Sequence, residues 1–363
     1  MKTLNTIKSL YITRSEPVGL IHFLTERCNA RCSFCFIDFD NKQTQSKKNE
    51  MTTEQIDKMT KTMGKSLQHV NLTGGEPFLR SDLFEIVKSY IENAKVSSLL
   101  INSNGTYTKR VAEFVDRLNK EYPDTRVIIQ FSIDSFPEDH NKIRKVPDLF
   151  EKTMKSYEYV KNNGLNVVSS IALTVTHVNY FNIMNIYEYL ITNWNISRIS
   201  PIVVRDEGVH VTPIELKKDI IAAYKQLVDR INNDRQSGIL KNYYDNSTIK
   251  GRVLNEKDKI QYENNFKSYI NPQFISYCPS AKIFGVIATD GTVHPCEVLD
   301  KPLGNLKDFN FDFKKLWNSE QCNEVSNWIK KTKCNCTYEC AMTYNVMSNY
   351  QYQPRLIKKA LGL

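Results

Sequence analysis

The chain predicts an α/β fold in two parts: a parallel β/α barrel of six strands, complete or partial, followed by a small cysteine-rich α+β domain. Three observations carry this. From Val18 to Val204, short β-branched apolar runs alternate with amphipathic stretches, the rhythm of βαβ units. Polar signatures stand directly after the first four runs, at the strand ends where a barrel assembles its site. Six of the nine cysteines lie between Cys278 and Cys340, beyond a change of rhythm.

The elements follow in order. Strands are expected over 20–25, 69–73, 98–102, 127–133, 167–174 and 199–204. Helices are expected over 53–63, with Thr52 or Thr53 as cap, and over 81–93, 109–120, 149–161 and 180–192. Beyond Val204 a charged helical segment over 213–241 places Ile220, Tyr224, Leu227 and Ile231 on one face. A polar stretch rich in Asn, Lys and Tyr then runs to Asn271. Thr289-Asp290-Gly291 is a hairpin turn whose arms are 284–288 and 292–294. The boundaries drawn from this are a barrel over 1–212, a helical connector over 213–275, a cysteine-rich domain over 276–345 and a tail over 346–363.

A length of 363 residues exceeds what one core usually serves, and 41% hydrophobic residues supply two. The net charge of +9 is spread over many lysines such as Lys58, Lys88 and Lys152, with no basic stripe interleaved with aromatics, so nucleic acid is not an expected partner. With no apolar run of 18 residues and no signal-peptide pattern, neither a membrane nor export is expected, and the cytoplasm is the expected location. Nine cysteines there point to metal or redox chemistry rather than disulfides.

Cys28, Cys32 and Cys35 share one short loop after the first strand. Three thiolates would ligate three irons of a [4Fe–4S] cube and leave the fourth open for chemistry. A zinc site would more naturally use two Cys pairs, and free cysteines also serve as small core residues. The second strand ends in Thr73-Gly74-Gly75-Glu76-Pro77, where two glycines let another group approach the backbone closely. A tight strand-to-helix turn with Pro77 near its first helical position is the plainer reading.

The loop spacing resembles the cluster loop of the radical S-adenosylmethionine (SAM) superfamily. The resemblance implies a cluster whose open iron is chelated by SAM, and reductive cleavage of SAM to a 5′-deoxyadenosyl radical. It also implies a SAM site in which Gly74, Gly75 and Glu76 receive the methionyl ammonium. Ser132 and Asp134 resemble the strand-four signature that contacts ribose and methionyl groups, and Arg144 is placed to pair with the SAM carboxylate through a bidentate guanidinium. Asn104, and less so Asn179, are further candidates, although an Asn in a loop is more often a turn former. The family's adenine-binding glycine motif is not evident in 167–172.

Cys278, then Gly291-x4-Cys296, then Cys334, Cys336 and Cys340, resemble the SPASM or twitch extension, which implies at least one auxiliary [4Fe–4S] cluster. The expected ligands are Cys278, Cys296 and Cys340 with either Cys336 or Cys334, and Cys322 is expected to be structural. Two auxiliary clusters, one incompletely ligated, are the rival count. Glu297 matches in place an acidic base of the sulfatase-maturating relatives, or is a plain hairpin carboxylate.

The expected function is therefore a radical SAM enzyme acting on a peptide, a protein or a small molecule, fed by a one-electron donor such as flavodoxin or ferredoxin. Only about 17 residues precede the first strand, which disfavours a peptide read through its leader. The alternative is a non-catalytic Fe–S electron carrier or a zinc scaffold, for which the SAM-type loops would have no use.

Overall fold

The computed structural model describes residues 2–39, 46–205, 211–241, 243–271 and 273–363, so residues 206–210 of the expected barrel segment and 242 and 272 of the expected connector lie outside the described residues. Nine strands form one sheet in the order β6-β5-β4-β3-β2-β1-β7-β8-β9. The first six are β1 (Gly19–Thr25), β2 (His69–Gly74), β3 (Ser98–Ser103), β4 (Arg126–Ser132), β5 (Val167–Val175) and β6 (Ile199–Val203). Each pairs in parallel with its sequence neighbour.

Parallel neighbours need crossovers, and helices Thr53–Lys61, Leu83–Glu92, Thr108–Glu121, Leu149–Asn163 and Ile183–Trp194 provide them. Thr52 opens the first with a capping box, its hydroxyl accepting from the Gln55 N–H while the Gln55 side chain accepts from its own N–H. The helices bury one face each, as with Val111, Phe114, Val115 and Leu118, against strands whose Leu99, Ile101, Val127 and Ile129 are wholly buried. Burying such side chains contributes about 1.5–3 kcal/mol apiece.

The sheet does not stop with the sixth strand. β7 (Phe284–Ile287) lies parallel to β1, and the hairpin to β8 (Thr292–His294) and β9 (Gly304–Asn305) extends the barrel sheet itself. The cysteine-rich region is thus anchored on the outer edge of β1. Six of seven residues of β1 are buried, because it has a strand on either side and layers on both faces.

Several helices were not placed by the sequence reading, among them Lys2–Lys8 and Gln353–Ala360 at the two ends. Ile249–Ile270, expected as a polar stretch within a helical connector and given no helix bounds, is a helix of 22 residues that buries Glu256, Lys257, Asn264, Asn265 and Ser268. A polar buried face leaves no apolar periodicity to read. Pro137–Arg144 is short, and Glu339–Ser348 begins inside the cysteine motif.

Candidate functional site

The first cysteine loop leaves β1 and is held by its neighbours' backbones. The N–H of Gly75 donates to the Thr25 carbonyl (2.6 Å), and that of Glu76 to Arg27 (2.9 Å). A Cβ on Gly74 or Gly75 would lie 2.1 Å from the carbonyl oxygen of Thr25 or Arg27, so the glycines are required by contact between strand ends. From the other side, the last turn of helix Pro137–Arg144 accepts the Arg31 N–H at the Arg144 carbonyl (3.0 Å) and the Ser33 N–H at Ile143 (3.4 Å).

The three thiols form one group. Burial pushes each of them up, Cys28 to about 12, and the other two thiols further oppose ionisation of Cys28. The Arg144 guanidinium works the other way on Cys32 and Cys35. Such thiols need cationic partners to ionise, which iron would supply.

The residues expected around SAM gather at the same strand ends. Glu76 is wholly buried, its carboxylate accepting from the N–H of Phe78 (3.0 Å), the hydroxyl of Ser103 (2.9 Å) and the N–H of Asn104 (2.7 Å). Burial outweighs these bonds and pushes it up to about 7. Asn104 donates to Asn29 Oδ1 (2.9 Å) and lies 3.8 Å from Cys28 Sγ. Ser132 ends β4, half-buried.

Arg144 is already paired within the chain. Its Nε and Nη2 both reach Asp134 Oδ2 (2.7 and 2.6 Å), and both side chains are buried. The Asp134 N–H donates to His140 Nδ1 (3.2 Å), and Asn179 braces the Asp134 carbonyl (2.8 Å). Asp134 Oδ1 and the hydroxyl of Ser170 on β5 are buried without a partner, polar positions left open beside the thiols and within the barrel.

The second array is spread over three segments. Cys278, Cys296, Cys334 and Cys336 line one cavity of about 160 Å³. Cys340 does not line it. The chain turns helical at Glu339, and that helix carries Cys340 away from the loop of Cys334 and Cys336, to where Glu297 and Arg205 dominate its surroundings. Cys322 lies in the core, its thiol donating to the Ala281 carbonyl (3.3 Å).

Among the described residues no three His, Cys, Asp or Glu side chains converge as ligands of a single metal ion. Four thiols standing around a space suit a cluster of several metal atoms better than one tetrahedral zinc.

Glu297 lies between the arrays. Arg205, just beyond β6, donates to its Oε2, and the Tyr338 hydroxyl donates to Oε1 (2.5 Å). The guanidinium of Arg205 also stacks over Phe36, the residue after Cys35, with Cζ 4.4 Å from the ring centroid. Sequence reasoning missed Arg205 and Tyr338, because neither stands in a motif and only the fold brings β6 to the hairpin.

Among the described residues no helix is long and apolar enough to cross a membrane. Comparison with known proteins agrees with this geometry. The radical SAM superfamily matches residues 23–190, and the SPASM iron–sulfur cluster-binding domain matches residues 278–341. The GTP 3',8-cyclase of Aquifex aeolicus is 34% identical over 97 residues, 26% of this chain and 30% of that protein, so the match spans under a third of it. The probable GTP 3',8-cyclase of Methanocaldococcus jannaschii is 26% identical over 301 residues, 77% of this chain and 85% of that one. Among solved structures, native anSMEcpe with bound AdoMet superposes with a TM-score of 0.62 at 21% identity, covering 96% of this chain and 100% of that one. Streptococcus suis SuiB bound to precursor peptide SuiA gives 0.54 at 14% identity, covering 90% and 70%.

Proposed function

From a chain that is a radical SAM enzyme with a C-terminal SPASM iron–sulfur domain, we propose an activity that abstracts hydrogen from a peptide or protein side chain held between the two cysteine arrays. The superfamily uses a [4Fe–4S] cluster with SAM, and the SPASM domain binds auxiliary clusters. With SAM bound and a one-electron donor such as flavodoxin or ferredoxin supplying the electron, a cluster held by Cys28, Cys32 and Cys35 would supply the chemistry of a 5′-deoxyadenosyl radical.

The protein's own work is to bind, orient and exclude water. Cys28, Cys32 and Cys35 would hold the first cluster, with Arg144 favouring their thiolates. Gly74, Gly75, Asn104, Ser132 and the open oxygen of Asp134 would face SAM, while Glu76 stiffens the floor beneath them. Cys278, Cys296, Cys334 and Cys336 would hold the auxiliary cluster. Glu297, oriented by Arg205 and Tyr338, is the polar group placed to take a substrate proton.

One observation carries this reading. The Arg205–Glu297 pair joins Phe36, beside Cys35, to the residue after Cys296, so one ion pair bridges the two arrays. The charge pattern there supports a peptide over a nucleoside triphosphate. Arg27 is matched by Glu50 (2.7 Å), Arg144 by Asp134 (2.6 Å) and Arg205 by Glu297, which leaves those cations compensated. Exposed Phe181 follows β5 at the same end, apolar surface for an extended chain.

The names of the cyclase relatives favour a second reading, a small-molecule substrate. The test is anaerobic. Reconstituted, dithionite-reduced protein should convert SAM to 5′-deoxyadenosine, and a peptide substrate with deuterated side chains should pass deuterium into it. Absence of SAM cleavage would sink the whole proposal, and deuterium transfer from GTP instead of peptide would replace the substrate class.

A further inference from the structure

A second cavity, of about 620 Å³, opens far from the cysteines. It lies between helix Lys217–Gln236, the loop after it, helix Ile249–Ile270 and the C-terminal residues. Its floor is tied to the starts of strands, because the Tyr243 hydroxyl donates to the Ile199 carbonyl and accepts its N–H (2.9 Å). Ile199 opens β6, whereas Arg205 lies past its other end. At roughly 3.3 Å per residue the cavity is one strand length from the mouth.

Its charges are not balanced. Five cations line it, Arg235, Lys241, Arg252, Lys259 and Lys359, against Asp245 and Glu256. Glu256 pairs with Arg355, which does not line the cavity; Asp245 keeps its charge, accepting from the N–H (2.8 Å) and hydroxyl (2.6 Å) of Ser247, and Arg235 also reaches Asp258 (3.8 Å), so the lining stays cationic in excess. Arg252 spends its donors on carbonyls of Ser247, Lys359 and Ala360. The exposed Lys241 and Lys359 have no ion-pair partner among the described residues.

Beneath, the Tyr243 ring is shared by two guanidiniums, with Arg198 and Arg235 at 4.8 and 4.3 Å from its centroid. Arg126, at the start of β4, is half-buried within reach of the charge of Arg198. Like charges gathered in a concave site raise the folded state's free energy unless an anion offsets them.

We propose that this cavity binds a small polyphosphate-bearing molecule, an effector rather than the reacting substrate. A volume of about 620 Å³ is that of a small-molecule site, not of a flat macromolecular surface. Lysines on one wall, Lys241 and Lys359 without an ion-pair partner among the described residues and Lys259 beside them, call for an anion of more than one charge, which a di- or triphosphate group is. The remoteness of both cysteine arrays separates it from the chemistry at the mouth.

Calorimetric titration of sodium tripolyphosphate into the reconstituted full chain at fixed ionic strength tests this. One saturable site is expected, weakened about tenfold or more in the Lys241→Glu/Lys359→Glu double variant. That variant should keep the parent's iron content and melting temperature. Should it fold poorly, Lys241→Gln/Lys359→Gln takes its place with the same direction expected. Absence of a saturable site, or equal affinity in the folded variant, overturns the proposal. Tighter binding of an RNA oligonucleotide or an acidic peptide than of tripolyphosphate overturns it too, since the surface would then serve a macromolecule.

Discussion

The two cysteine arrays are built in opposite ways. The first sits within eight residues, Cys28 to Cys35, hung from the end of a strand and pinned by backbone bonds to β2 and to helix Pro137–Arg144. The second is collected from three places, Cys278 before β7, Cys296 after β8, and the loop of Cys334 and Cys336, around one cavity. A local array has its geometry written in its spacing. A dispersed one depends on where each neighbouring element begins, and Cys340, on the first turn of helix Glu339–Ser348, does not line the cavity that the other four thiols share.

The strongest way to break the comparison is to delete the local array. Changing Cys28, Cys32 and Cys35 together to Ala should abolish SAM cleavage and lower iron from about eight to about four per chain, with the auxiliary cluster retained. Iron and sulfide analysis reads this directly. Loss of all iron would mean that the arrays are not independent.

The dispersed array is sharpened by a pair of single changes. Cys336→Ala should cost about four irons, whereas Cys340→Ala should cost none, by the same analysis with Mössbauer spectroscopy. Equal losses would return Cys340 to the ligand set.

Next comes the support of the first loop. Arg144→Met leaves the Asp134 carboxylate buried and unpaired, so stability should fall by about 3–5 kcal/mol, as breaking a buried pair does. Adding Asp134→Asn should recover part of the loss. Denaturant unfolding of the three variants decides it, and additive losses would show that the pair is not coupled.

The smallest effect expected is a pH dependence from Glu76. Its folded pKa of about 7 lies above the usual carboxylate value, so the folded state holds a proton that the unfolded chain releases. Its contribution to stability is then greatest at low pH and declines as pH rises toward 7, by on the order of 3 kcal/mol in all. Relative to Glu76→Gln, the parent should melt progressively earlier between pH 5 and 8. A constant difference across that range would contradict the burial argument.

Much of this was legible beforehand. Alternating apolar runs and helical faces placed all six barrel strands, and Thr52 announced its helix by its cap. Local chemistry also put Cys28, Glu76, Asn104 and Asp134 at one end of the sheet, because in a parallel barrel every residue just after a strand faces the same way. Helix Ile249–Ile270 stayed hidden since its inner face is polar, and periodicity reports apolar burial only.

The sequence by itself determined the fold class, the six strands of the barrel and the identity of the first cysteine array, all properties of short segments. Only the tertiary structure decided partners. It gave Arg144 to Asp134, set Cys278, Cys296, Cys334 and Cys336 around one cavity, brought Arg205 to Glu297, and joined β7 to β1 so that the cysteine-rich region shares the barrel sheet. Pairing is settled by which buried charge or edge strand stands within a few ångströms, and that distance joins residues tens to hundreds of positions apart in the chain.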